Sequence, residues 1–173
     1  MTKRTVMINI HTLRHAVAES LFEQEELQEE DLIKNLMAQG EEEPSEMLVE
    51  GRLVTSPQRV ELMYEEGELT GMEGSVTSIG FDRNAPYLIS MMRTGLVSTA
   101  MIFEKGKRHL CLYNTPFSEF EICVHALQVE NRLLEEGYLY IDYLIEVHGA
   151  QAERCKMTIR AQSNRDADRF ENF

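Results

Sequence analysis

Residues Tyr138-Leu139-Tyr140-Ile141-Asp142-Tyr143-Leu144-Ile145-Glu146-Val147-His148 decide the fold. Leu139, Ile141, Tyr143, Ile145 and Val147 fall on one side of a two-residue repeat. Tyr140, Asp142, Leu144, Glu146 and His148 fall on the other. Successive side chains of an extended chain point to opposite faces, so this pattern specifies a half-buried strand and excludes an amphipathic helix. The same short alternating runs recur on both sides. They predict strands over Glu46 to Val54, Gln58 to Tyr64, Gly74 to Asp82, Tyr87 to Arg93, Leu96 to Glu104, Lys107 to Asn114, Phe120 to Gln128 and Arg154 to Gln162. Val129 to Leu134 reads as a further strand or a turn. About eight to ten strands with turn signals between them favour a mainly β fold, an antiparallel barrel closed on itself and so free of exposed edges.

At the start of the chain Val6, Ile8 and Ile10 alternate with Met7, Asn9 and His11, another strand. The period then changes. Val17, Leu21, Phe22, Leu32, Ile33, Leu36 and Met37 recur at helical spacing, with Asp31 as a candidate N-cap and Gly40 as a stop. Glu41-Glu42-Glu43-Pro44-Ser45 reads as a solvated linker. Residues 15–46 are thus expected to be an acidic helical insertion within a single domain spanning 1–173, and 163–173 a flexible tail.

Charge is concentrated in that insertion. Of a net −13, the stretch from His15 to Glu50 carries −11, twelve acids against Lys34, which leaves the rest nearly neutral. Nucleic acid and anionic membrane are bound chiefly through Lys and Arg, so this balance argues against both as partners. No run approaches the roughly 20 apolar residues of a membrane-spanning helix. Cys111, Cys123 and Cys155 are an odd number without CxxC spacing, as expected of reduced thiols in a cytoplasmic protein.

Two stretches resemble a known family. Phe103-Glu104-Lys105-Gly106-Lys107-Arg108-His109, followed by Tyr113-Asn114-Thr115-Pro116-Phe117, is similar to the signature of the YwiB-like family of calycin-type barrels, a domain of unknown function in bacterial proteins. Glu68 to Gly74, Asn131 to Leu133 and Gly137 continue the likeness. The resemblance implies a lipocalin-shaped barrel and supplies no catalytic residues or cofactor. Tryptophan is absent, so the Gly-x-Trp motif of true lipocalins is missing.

The two faces of the central hairpins follow from turn parity. Lys105-Gly106 as a two-residue turn pairs Glu104 with Lys107. That register sets Val97, Thr99, Met101, Phe103, Arg108, Leu110 and Leu112 inward, with His109, Cys111 and Tyr113 outward. For the next hairpin, keeping Leu110 and Leu112 on one face with Ile122 and Val124 requires Leu110 opposite Val124. His109 then stands opposite His125, and Cys111 opposite Cys123. Arg108 becomes the inward arginine of a barrel mouth, suited by its planar fork to a carboxylate or phosphate. Phe103, Glu73 and Tyr143 complete the candidate ligand set. The plainer alternative lays the Arg108 stem on Phe103 and its guanidinium against water or Glu73.

His109, Cys111, Cys123 and His125 have the ligand types of a zinc or copper site. Side chains on a flat strand pair, however, stand about 5 Å apart across and about 7 Å along, a poor tetrahedron. No metal or cofactor is therefore expected. Nor is a catalytic constellation evident: Thr70, Ser98 and Thr99 have no base in sequence context, and Glu73, Glu104 and His109 would need a cleft to gather them. Two functions remain. One is a barrel that binds a small anionic or apolar ligand. The other is an interaction module with a filled barrel as scaffold, pairing as a homodimer or meeting a protein partner through the acidic segment.

Overall fold

The computed structural model describes residues 1–17, 42–67, 73–148 and 152–163. Ten antiparallel strands form a closed barrel: β1 (Thr2–Ala16), β2 (Glu43–Thr55), β3 (Arg59–Glu65), β4 (Val76–Asp82), β5 (Leu88–Thr94), β6 (Ser98–Glu104), β7 (Arg108–Asn114), β8 (Glu119–Arg132), β9 (Tyr138–Val147) and β10 (Glu153–Ser163). Each strand pairs with its neighbours in sequence, and β10 closes the ring on β1 through a register from Val6↔Ser163 to Ala16↔Glu153. A meander of this kind leaves no edge strand for another chain to extend.

The alternation around Tyr138 to His148 holds in part: Leu139, Ile141 and Tyr143 of β9 join the interior, but the strand is not half-buried, because Asp142, Leu144 and Glu146 on its other face are buried as well. Phe103, Ile8, Leu53, Leu62, Ile79, Ile89 and Ile141 are among the largest side chains removed from water altogether. Burial of each such group stabilises the fold by about 1.5–3 kcal/mol. Val129 to Arg132 extends β8, and a single helical turn, α1 (Leu133–Glu136), precedes β9.

The helical stripe from Leu21 to Met37 lies outside the described residues. The strands that flank it are longer than expected: β1 runs through His15 to Ala16, and β2 begins at Glu43, so Glu43-Pro44-Ser45 is strand and not linker. Pro44 is tolerated because β2 pairs there with β1 alone, opposite Leu13, and its β3 ladder begins only at Gly51↔Tyr64.

The faces of β7 are the reverse of those expected. The turn is as expected: Gly106 has φ 76°, and Lys107 N–H donates to the Glu104 carbonyl at 2.9 Å. At the other end of the hairpin, however, Thr99 stands opposite Tyr113 and Ser98 opposite Asn114. Five steps separate Glu104 from Thr99, and six separate Lys107 from Tyr113. One extra residue on β7 is a bulge, and it turns every later side chain of the strand over. His109, Cys111 and Tyr113 therefore face the interior. Arg108, Leu110 and Leu112 face out, with Leu110 67% and Leu112 47% exposed. The β7–β8 register is odd accordingly: His109 meets Val124 and Cys111 meets Ile122, while Arg108 meets His125 and Leu110 meets Cys123.

Candidate functional site

The barrel interior is divided along its axis. At the end where β1 leads out of the barrel, the inward positions turn polar: Thr12 and Arg14 of β1, Tyr64 of β3 with Glu66 beyond it, Ser75 and Thr77, Arg93 of β5, Thr99 of β6, Tyr143 of β9 and Cys155 of β10. Below them the inward residues are apolar and mostly sealed from water, apart from the half-buried His109 of β7. Phe103 and Tyr143 mark the boundary, with ring centroids 4.8 Å apart and tilted at 56°.

Glu66 anchors one wall of this mouth. Its side chain is 1% exposed, and Oε1 accepts from Thr77 Oγ1 at 2.6 Å and from Arg93 Nη2 at 3.1 Å. Arg93 Nε also donates to Thr77 Oγ1 at 3.2 Å, so carboxylate, hydroxyl and guanidinium form a closed triangle. Beside it Ser75 is fully buried with an unpartnered Oγ, among the described residues. The turn after β5 closes tightly over Ser75. A Cβ on Gly95, whose φ is 137°, would lie 2.8 Å from the Ser75 Cα.

The opposite wall is Arg14 and Cys155, which are cross-strand partners. The guanidinium of Arg14 and the Tyr143 hydroxyl both lie beside the Cys155 sulfur. Burial acts to lower the Arg14 pKa, but the neighbouring Cys155 and Tyr143 outweigh it and leave it raised, so the group is always charged. None of the ion pairs among the described residues involves Arg14. Burial pushes Tyr143 well above the ordinary phenol range, and its hydroxyl therefore serves the mouth as a neutral donor. Burial likewise raises Tyr64 and the Cys111 and Cys155 thiols, and lifts Cys123 to about 11. None of the three free cysteines is a thiolate nucleophile at neutral pH.

Of the residues singled out from sequence, Phe103 and Tyr143 do share the interior, and Glu73 is exposed in the turn before β4. Arg108 lies on the outer face, because of the β7 bulge. The same bulge separates the four potential metal ligands: His109 and Cys111 inside, Cys123 and His125 outside. Among the described residues no group of three or more His, Cys, Asp or Glu side chains is placed to hold a metal ion. Arg14 and Arg93 went unnoticed in the sequence, although parity pointed to both. Arg14 continues the series Val6, Ile8, Ile10, Thr12, and Arg93 follows Ile89 and Met91.

Outside the barrel a second polar cluster crosses five strands in one row, His15–Arg154–Leu144–His125–Arg108. Arg154 grips Asp142 with two bonds, Nε to Oδ1 at 3.0 Å and Nη2 to Oδ2 at 2.6 Å. Val17 and Ala152 pack here on Cys123 and Leu144. His15 and His125 are both buried, and each holds one ring nitrogen without a hydrogen-bond partner among the described residues.

Burial, then the charge of Arg108, lowers the His125 pKa. Burial, then Arg154 and Lys156, lowers that of His15 against the opposite pull of Glu42 and Asp142. A base with a depressed folded-state pKa binds protons more readily when unfolded. Its contribution to stability is present above the unfolded value of about 6.5 and is lost as pH falls toward the folded value. Urea unfolding is expected to show stability declining from pH 7.5 to pH 5.5, with a shallower decline in His125→Gln. An identical slope in the variant would remove His125 as the cause.

No curated protein matches this chain. Among solved structures, the crystal structure of the YwiB protein from Bacillus subtilis superposes with a TM-score of 0.62 at 17% identity, over 93% of this chain and 94% of that one. This likeness bears on the fold. No helix among the described residues is long and apolar enough to cross a membrane. The domain-of-unknown-function family DUF1934 matches residues 32–159, most of the barrel, and the chain belongs to that family.

Proposed function

We propose that this barrel binds a small oxyanionic ligand, a carboxylate or phosphate, in the polar mouth bounded by Arg14, Arg93 and Tyr143. The observation that carries the reading is Arg14: a charged guanidinium on the inward face at the exposed rim, beside a neutral thiol and a neutral phenol, with Glu43 across the strand pair and Glu153 nearby but no ion pair to either. Arg93, by contrast, is already compensated by Glu66. A bidentate guanidinium with a phenolic donor beside it matches the geometry of an oxyanion. The ligand is small, because the water-excluded side chains below Phe103 and Tyr143 leave no channel for a long apolar tail. The reading keeps the calycin-like analogy, a ligand at the barrel's open end, and places the protein in the cytoplasm, where its three thiols stay reduced.

The test is an amide-shift NMR titration of the full chain with inorganic phosphate and, separately, acetate. Shifts are expected to cluster at Arg14, Arg93, Tyr143 and Cys155. Arg14→Ala is expected to weaken binding by about 1.5–3 kcal/mol, the range for hydrogen bonds to a charged group. No mouth shifts with either anion, or equal affinity in the variant, would overturn the proposal.

A further inference from the structure

We infer that the outer face of β5, β6 and β7 is a self-complementary surface on which two copies of this chain pair about a two-fold axis. On an antiparallel sheet with one solvated face, outward positions are ordinarily polar. Here five adjacent outward positions are apolar: Met92 (47% exposed) opposite Ala100, then Ile102 (37%), and Leu110 and Leu112 on the neighbouring strand. The patch ends at the next strands, where the outward Cys123 of β8, opposite Leu110, and Leu144 of β9 are as buried as core residues. A contiguous exposed apolar patch bounded by charge marks an interaction surface rather than ordinary solvent exposure.

The charges at its two ends identify the partner. At the β6–β7 hairpin tip stand Lys105 and Lys107, both exposed. At the far end, on the outward side of β8, stand Glu119 opposite Asn114 and Glu121 opposite Leu112, also exposed, with Glu121 in contact with His148 at 3.4 Å. Seven residues of strand at about 3.4 Å each separate the two ends by roughly 20 Å. A two-fold axis through the apolar centre lays the two lysines of each copy over the two glutamates of the other, so the same contact is made twice. An isologous interface requires this arrangement, in which one surface carries both halves of its own complement. The uncharged centre also suits a chain of net −13, whose copies repel wherever their acidic surfaces meet.

Sedimentation velocity on the full chain over a concentration series is expected to show a monomer–dimer equilibrium. The double variant Leu110→Asp, Leu112→Asp is expected to weaken it by about 100-fold, while an unchanged thermal melt shows that the barrel remains folded. Charge reversal fixes the orientation. K105E/K107E alone and E119K/E121K alone should each self-associate about tenfold more weakly, and an equimolar mixture of the two should regain dimer by forming the mixed pair. A monomer at every concentration overturns the inference. So does a dimer indifferent to the leucine variant, or a mixture of reversed variants that fails to pair.

Discussion

Phe103→Ala is expected to lower the unfolding free energy by about 3–5 kcal/mol, the range for a large aromatic removed from a close-packed interior. The magnitude itself is informative. A phenyl ring that faced a hollow lumen would forfeit only its transfer free energy, about 1.5–3 kcal/mol. A packed barrel adds the cost of a void that its neighbours cannot collapse to fill. Phe103 is 0% exposed and lies against Tyr143 at 4.8 Å, within a cluster that includes Ile89, Met101, Ile122 and Ile141. Urea unfolding of wild type and variant measures the difference. A loss below about 2 kcal/mol would show spare volume beneath the mouth, and the argument for a small ligand would fall with it. The variant should also bind phosphate more weakly, because Tyr143 loses the ring that holds its hydroxyl level with Arg14.

The closed meander was legible because one-sided alternation, repeated in short runs, has few physical solutions, and the turn at Lys105-Gly106 was legible because loop length and glycine specify it. What defeated the sequence was one residue of β7. A bulge has no compositional signature, and Arg108, Leu110 and Leu112 form a better apolar set than His109, Cys111 and Tyr113. Maximising buried hydrophobicity therefore chooses the wrong face. The mouth was missed for a related reason. Arg14 and Arg93 obey the parity of their strands, but a charged residue at the end of an apolar series reads as the end of the strand. The outer-face cluster of Arg154, Asp142, His125 and His15 was beyond reach, since burial on a barrel's outside depends on what packs there and not on strand period.

Arg93→Ala is expected to destabilise the barrel by about 3–5 kcal/mol, since it leaves the Glu66 carboxylate, 1% exposed, without a cation and with only the neutral hydroxyls of Thr77 and Tyr64 beside it. The loss measures an uncompensated buried charge and not the worth of the pair. In a double-mutant cycle the combination of Arg93→Ala with Glu66→Ala should therefore cost much less than the two single losses added together. Glu66→Gln separates structure from binding. The amide keeps a hydrogen bond to Thr77 but no longer neutralises Arg93, so a second guanidinium without an ion pair joins Arg14 near Tyr143. Stability should fall while affinity for phosphate rises, because the second cation is released toward the position an oxyanion would take. Opposite signs in the two measurements follow only if Glu66 and the ligand compete for the same electrostatic field. If stability and phosphate affinity fall together, Glu66 is acting as scaffold alone, and Arg93 has no part in the anion site.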